Sequence, residues 1–302
     1  MLINFNSFTV DSFSVPNPHS RVPSTQCPNS NYLYTMKVTI IGCGNMGLVY
    51  ARAFLRYNIV NAENLLLAEK NETRRDELQQ MKIGNVVVTT DKAILNSDLI
   101  ILAVKPQDFT ELAPKIKSLI PEKATVVSIM AGITLNRLAT ELEHQFVIRA
   151  MPNSPVEVGM GMTGFSAHAS VSIDQIRNVE NLLSTTGRTV FFEDEKMLDA
   201  VTALSGSGPA YFYYIVRAMV EAGKEMGMTE AVASTLVKQT MLGSFQLINN
   251  AAKPFDELIK TVASKGGTTE AALSVFESGK MHDTLVKGII RAGERSSELS
   301  QG

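Results

Sequence analysis

The sequence predicts an α/β architecture, a doubly wound and mostly parallel sheet followed by an all-α domain. From Met36 to Glu193, short apolar runs alternate with helical stretches. That alternation is the mark of strands joined by crossover helices. Beyond Glu193 the chain turns rich in Ala, Met and Glu, with apolar residues at helical spacing and no clear strand. The first expected strand also runs into a Gly-x-Gly-x-x-Gly turn and then a helix, which makes the α/β half Rossmann-like.

Taken in order, strands are expected at 37–41, 64–68, 86–89, 99–103, 125–129 and 146–150. These runs are apolar throughout rather than alternating, as parallel strands covered on both faces should be. Two further β-like runs, Met162 to Ser166 and Thr189 to Phe192, are expected to complete the sheet, with a helix from Ile173 to Ser184 between them. Three segments follow: a tail over 1–35, a dinucleotide-binding domain over 36–194 and a helical domain over 195–302. The tail holds Pro16, Pro18, Pro23 and Pro28 among many Ser and Asn, with Asp11 and Arg21 as its only charges. Such a segment buries too little apolar area to offset its ordering entropy and is expected to be disordered. It lacks the basic start and the apolar core of about 7 residues or more that mark a signal peptide. Met36, directly before the first strand, is a candidate start of translation.

At 302 residues the chain has room for two ordinary domains, and 45% hydrophobic with 19% charged residues describes a well-buried globular protein. A formal net charge of −2 gives no electrostatic footprint for nucleic acid or an anionic membrane. No apolar run reaches the roughly 18 residues of a membrane span. Cys27 and Cys43 suggest no disulfide framework and fit a reducing cytoplasm. The histidines (His19, His144, His168, His282) are scattered without metal-ligand spacing, so no metal is expected.

Within the glycine turn, Gly42 permits the tight turn and Gly44 lets backbone N–H groups approach a pyrophosphate. Gly47 lets helix and strand pack closely. Asn45 and Met46 lie between them. Glu69 ends the second strand roughly 20 residues beyond Gly47, where a ribose-binding acid belongs. A plain strand–helix turn is the minority reading. Ala103-Val104-Lys105-Pro106 ends the fourth strand at the carboxyl edge, where open α/β sheets place ligands. Lys105 is either a cofactor contact or a strand-end lysine in solvent. Ser128-Ile-Met-Ala131-Gly132 ends the fifth strand in small residues that leave room for a nicotinamide ring. Arg149-Ala-Met-Pro-Asn153-Ser-Pro155 ends the sixth, and Asn153 is a candidate donor to the cofactor or to an ordered water. Small or polar strand ends along one edge favour a single cleft.

Ser264-Lys265-Gly266-Gly267-Thr268-Thr269 opens an apolar helical pattern. Adjacent glycines leave N–H groups bare, and a helix start adds partial positive charge, so the loop suits a small anion. The plainer alternative is a loop in which Thr268 or Thr269 caps the helix. Ser205-Gly-Ser-Gly-Pro-Ala-Tyr211 reads equally as a kink bearing hydroxyls or as a simple helix break.

Together these residues resemble the Δ1-pyrroline-5-carboxylate reductase family from Met36 to about Leu299. The motifs stand in that family's order, and the Ser205–Tyr211 and Ser264–Thr269 segments are the most specific. The resemblance implies a Rossmann-like domain and a helical dimerisation domain that completes each site across a homodimer or a larger homo-oligomer. It implies hydride transfer from NADPH or NADH to the cyclic imine 1-pyrroline-5-carboxylate, giving L-proline, an oxidoreductase acting on a CH–NH group in proline biosynthesis. By similarity, Thr269 hydrogen-bonds the ring nitrogen, and Ser264 with the Gly266-Gly267-Thr268 backbone holds the carboxylate. Lys265 stands where the family usually has proline. Glu69 favours the 2′-hydroxyl of NADH, whereas Lys70, Arg74 and Arg75 are cations placed to receive an NADPH phosphate. A β-hydroxyacid-type dehydrogenase, with Lys196 as its nearest candidate acid, and a non-catalytic dinucleotide-sensing protein remain the alternatives.

Overall fold

The computed structural model describes residues 36–301, so the expected disorder of the tail lies outside the described residues. Eight strands form one sheet in the order β3-β2-β1-β4-β5-β6-β7-β8. They are β1 (Val38–Ile41), β2 (Leu65–Ala68), β3 (Asn85–Val87), β4 (Leu99–Leu102), β5 (Thr125–Ser128), β6 (Val147–Met151), β7 (Gly161–Ala167) and β8 (Gly187–Phe191). All neighbours pair parallel except β6 and β7, which run antiparallel with Ala150 opposite Phe165. The crossovers are helices α1 (Asn45–Arg56), α2 (Glu72–Met81), α3 (Pro106–Ile116), α4 (Leu135–Leu142) and α5 (Ile173–Leu183). From β1 the chain winds outward to β2 and β3, then returns to place β4 on the other side of β1. The strand order therefore reverses between β1 and β4, which opens a crevice at their carboxyl ends.

Consecutive residues of a strand face opposite sides of the sheet. Accordingly Ile40 packs with Tyr50, Phe54, Val179 and Leu182 in one cluster, while Ile41 packs with Phe109, Ile116, Leu138 and Leu142 in another. Both faces are thus covered, which is why the strands read as unbroken apolar runs. Phe54 and Phe109, both fully buried, anchor the two layers, and burying each contributes roughly 1.5–3 kcal/mol. Local signals set the helix starts. Ser172 and Gln175 form a reciprocal capping box on α5, and the Thr134 hydroxyl accepts from the Arg137 N–H on α4.

After β8 the chain is helical. Helix α6 (Met197–Val201) runs into a π turn over Thr202–Gly206, and α7 (Gly208–Glu225) starts beyond it. The remainder is α8 (Glu230–Asn250), α9 (Phe255–Val262), α10 (Thr268–Ser278) and α11 (Met281–Gln301). The described residues divide into two compact units. One runs to Pro209 and takes in the chain from Lys287 on, and the other is Ala210–Val286.

In the first unit the C-terminal part of α11 docks beside α6, where the Ser296 hydroxyl donates to the Asp199 carboxylate at 2.8 Å. In the second, α7 meets α8 closely enough that a Cβ on Gly223 would stand 2.7 Å from that of Ala233. Neither α9 nor α10 contains a buried residue, and α8 buries only Ala233 and Val237. Phe212, Tyr213, Leu236, Phe245 and Phe255 are each at least half exposed. A helical unit with its apolar residues outward has not completed its core.

Candidate active site

The glycine turn sits at the reversal of strand order, and each of its glycines has a separate steric reason. Gly42 has a φ of +92°, and a Cβ there would lie 2.8 Å from backbone atoms of Ala103 and Val104. The turn and the end of β4 therefore touch. A Cβ on Gly47 would stand 2.2 Å from the Gly42 carbonyl oxygen, so only glycine lets α1 start this close to β1. At Gly44 a Cβ would meet nothing within 4 Å, and Asn45 beside it is exposed. Gly44 is also the N-cap of α1, with no side-chain cap and no acidic residue in the first turn. Open space before uncapped N–H groups fits the pyrophosphate of a dinucleotide. Half-buried Met46 packs against the core instead of facing that space.

Glu69 closes the other side of the turn. Its Oε2 accepts from the Cys43 N–H at 2.9 Å and its Oε1 from the Asn71 N–H at 3.0 Å. Cys43 itself is a small filler. Its thiol donates to the Ile40 carbonyl at 3.7 Å, and burial, reinforced by the Glu69 charge and eased by Arg74, pushes its pKa up to about 12.

Along the same edge, Lys105 is exposed and supplies the N-cap of α3, with Pro106 at the first helical position. The Ile129 N–H donates to the Leu102 carbonyl at 3.0 Å, which brings the small-residue end of β5, with half-buried Ala131, beside the end of β4. Asn153 holds two motifs together. Its Nδ2 donates to the Ser205 hydroxyl at 3.1 Å, while its Oδ1 accepts from the Met162 N–H at 2.9 Å. The side chain expected to donate outward is thus engaged inside the fold, and the Arg149–Pro155 and Ser205–Tyr211 segments meet through it. Lys196, the candidate acid of the hydroxyacid-type reading, is exposed just before α6.

The Ser264–Thr269 loop belongs to the second unit. Gly266 has a φ of +74°, and a Cβ on Gly267 would stand 2.5 Å from the Ser264 hydroxyl oxygen. The plainer alternative, a threonine cap, is absent: the N-cap of α10 is Gly267, with no side-chain cap, and both Thr268 and Thr269 lie inside the first turn. Their hydroxyls are therefore not spent on closing the helix start. The Gly266 N–H donates to the Glu270 carboxylate at 2.6 Å, and the Gly267 N–H to the Ser264 carbonyl at 3.0 Å. Two of the N–H groups expected to cradle an anion thus have internal partners. Glu270 already shows that a carboxylate fits against this loop.

One buried cluster escaped the sequence reading. Arg149, 3% exposed at its side chain, pairs with Glu195 at 2.9 Å and Asp199 at 3.6 Å. Glu195 also accepts from the Leu135 N–H at 2.8 Å. A single arginine in the otherwise apolar strand Val147–Met151 was the available signal, since a buried guanidinium requires carboxylate partners.

An oxidoreductase scaffold for a dinucleotide is the class that this fold and this turn define. Comparison with known proteins narrows the class. Residues 195–299 match the pyrroline-5-carboxylate reductase dimerisation family, and residues 37–132 match the coenzyme F420-dependent NADP oxidoreductase family. A pyrroline-5-carboxylate reductase of Pseudomonas aeruginosa is 33% identical over 88% of this chain and 98% of its own. One from Arabidopsis thaliana is 34% identical over 88% and 96%. Among solved structures, the reductase of Coxiella burnetii aligns with a TM-score of 0.80 at 30% identity, over 88% of this chain and 99% of that one. The Plasmodium falciparum enzyme, solved with NADP bound, aligns with a TM-score of 0.79 at 26% identity, over 89% and 99%. The chain belongs to the pyrroline-5-carboxylate reductase family.

Proposed function

We propose that this protein reduces the cyclic imine 1-pyrroline-5-carboxylate to L-proline at the expense of NADPH or NADH. One observation carries the reading: the Ser264–Thr269 loop presents uncapped N–H groups and two uncommitted threonine hydroxyls at the start of α10, in a chain of this family. When bound, the reduced dinucleotide supplies the hydride that the imine carbon accepts. Gly42, Gly44 and Gly47, with Asn45 and Met46, shape the turn that holds it. Ala103, Val104, Lys105, Pro106, Ala131 and Asn153 form or support its wall.

Thr269 hydrogen-bonds the ring nitrogen of the substrate and holds the imine in one orientation. As the C=N electron pair settles on nitrogen, the hydroxyl stays bonded to the resulting amine. Ser264 and Thr268 bind the carboxylate, and the Gly266 and Gly267 N–H groups join them when Glu270 and the Ser264 carbonyl give them up. Positioning carries most of the rate, because a substrate already protonated at nitrogen needs no acid from the chain. Well-oriented reactants contribute on the order of 7–11 kcal/mol to such a step. The exposed position of Lys196 offers no buried acid for hydroxyacid chemistry, and a sensor would have no use for an imine loop. The protein works as a homodimer or larger homo-oligomer, whose subunits cover the outward apolar residues of Ala210–Val286. Cys43, a buried free thiol, fits a reducing compartment, and we place the enzyme in the cytoplasm.

Thr269→Val is the test. Turnover of pyrroline-5-carboxylate should fall on the order of 10²-fold, as on losing one transition-state hydrogen bond, with dinucleotide affinity unchanged. Equal turnover in the two proteins removes Thr269 from the reaction.

A further inference from the structure

We propose that Glu69 makes this chain prefer NADH, its fixed carboxylate accepting the adenosine 2′-hydroxyl and excluding a 2′-phosphate. The inference rests on the dinucleotide reading of the Gly42–Gly47 turn and goes beyond it by choosing between the two cofactors. Its ground is that the acid and the two neighbouring arginines are already engaged by the fold.

Glu69 follows β2 directly, and its own N–H donates to the Val87 carbonyl at 3.0 Å, so its backbone continues the sheet. The Cys43 and Asn71 N–H bonds then fix one carboxylate oxygen each. The first of them ties the acid to the phosphate-binding turn, so the carboxylate stands at the ribose end of that turn. Each oxygen retains acceptor capacity, which a ribose hydroxyl satisfies by donating. A phosphate, mostly dianionic at neutral pH, has little to donate and brings like charge to the same place.

A cation there would favour a 2′-phosphate, but both arginines in sequence range are engaged with backbone carbonyls, and Lys70 stands in an exposed ion pair. Arg74 donates from Nε to the Cys43 carbonyl at 3.1 Å and pairs with Glu77 at 2.5 Å, bridging the turn to α2. One guanidinium nitrogen of Arg75 donates to the Glu69 carbonyl at 3.1 Å and to the Lys70 carbonyl at 2.8 Å. Lys70 pairs with Asp108 at 3.2 Å. Arg74 and Arg75 thus brace the backbone that carries Glu69, and so hold the excluding group in place.

Equilibrium binding of NADH and of NADPH to the full chain, followed by nicotinamide fluorescence and calorimetry, tests this without turnover. The native protein should bind NADH at least about tenfold more tightly than NADPH, given the cost of juxtaposing like charges. Glu69→Ser should raise NADPH affinity and lower NADH affinity. Glu69→Gln, which keeps the shape and the Asn71 contact, should relax the preference if the serine variant does not fold. Equal or tighter NADPH binding by the native protein, or an unchanged ratio in both variants, overturns the inference and leaves the dinucleotide site standing. Binding of neither cofactor overturns the site itself.

Discussion

Arg149 shows what a single buried charge does in this fold. Its guanidinium links β6 to Glu195 before α6 and to Asp199 within it, and Asp199 in turn receives the Ser296 hydroxyl of α11. Arg149→Met should cost about 3 kcal/mol in denaturant unfolding, because it leaves two carboxylates without their cation. The added changes Glu195→Gln and Asp199→Asn should recover part of that loss, whereas a harmless single substitution would contradict the cluster's role. Cys43 gives a second prediction at this scale. A thiol held up at about 12 stays protonated at pH 8, so alkylation followed by peptide mass spectrometry should leave Cys43 unlabelled until the protein unfolds. Its neutral form favours the folded state below the unfolded pKa, and that contribution is lost as pH rises toward 12. Rapid labelling of the folded protein would sink that reading. The Arg149 partners are not legible in the sequence, because they lie 46 residues and more away and nothing local marks them as a set.

At the scale of elements, the strand–turn–helix unit of β1, Gly42–Gly47 and α1 explains itself by sterics. Gly47→Ala places a methyl group 2.2 Å from the Gly42 carbonyl oxygen, against backbone that cannot give way. The variant should lose dinucleotide binding by calorimetry and unfold at lower denaturant concentration. Retained affinity would mean that α1 can start farther from β1 than this packing implies. The strands were legible because both sheet faces are covered, so apolar runs stand out from the helices. Their ends shifted by a residue or two where local turn chemistry took over. Asn64, expected in a strand, instead ends a 3-10 turn in which its N–H donates to the Asn61 side chain at 2.8 Å. The antiparallel turn from β6 to β7 had no clear signal beyond Pro152 and Pro155. The glycine-rich Ser205–Tyr211 segment reads equally as a kink or as a helix break, and it forms a π turn running into α7. What sequence could not supply there was the bond from Asn153 to Ser205, which seats the π turn against the sheet.

The molecule as a whole is unfinished as one chain. Phe245, Leu247, Phe255 and Val275 are at least half exposed in a helical unit that buries little of its own. Light scattering should therefore find a dimer or larger assembly at micromolar concentration, and a stable monomer would contradict this account of the helical half. No helix among the described residues is long and apolar enough to cross a membrane. The most direct measurement follows the hydride itself. Pyrroline-5-carboxylate is incubated with the enzyme and with NADH carrying deuterium at the transferable position of its nicotinamide, and the product is read by mass spectrometry and NMR. The account predicts proline with one deuterium on the ring carbon that had been double-bonded to nitrogen. Absence of proline, or proline without the label, would contradict it.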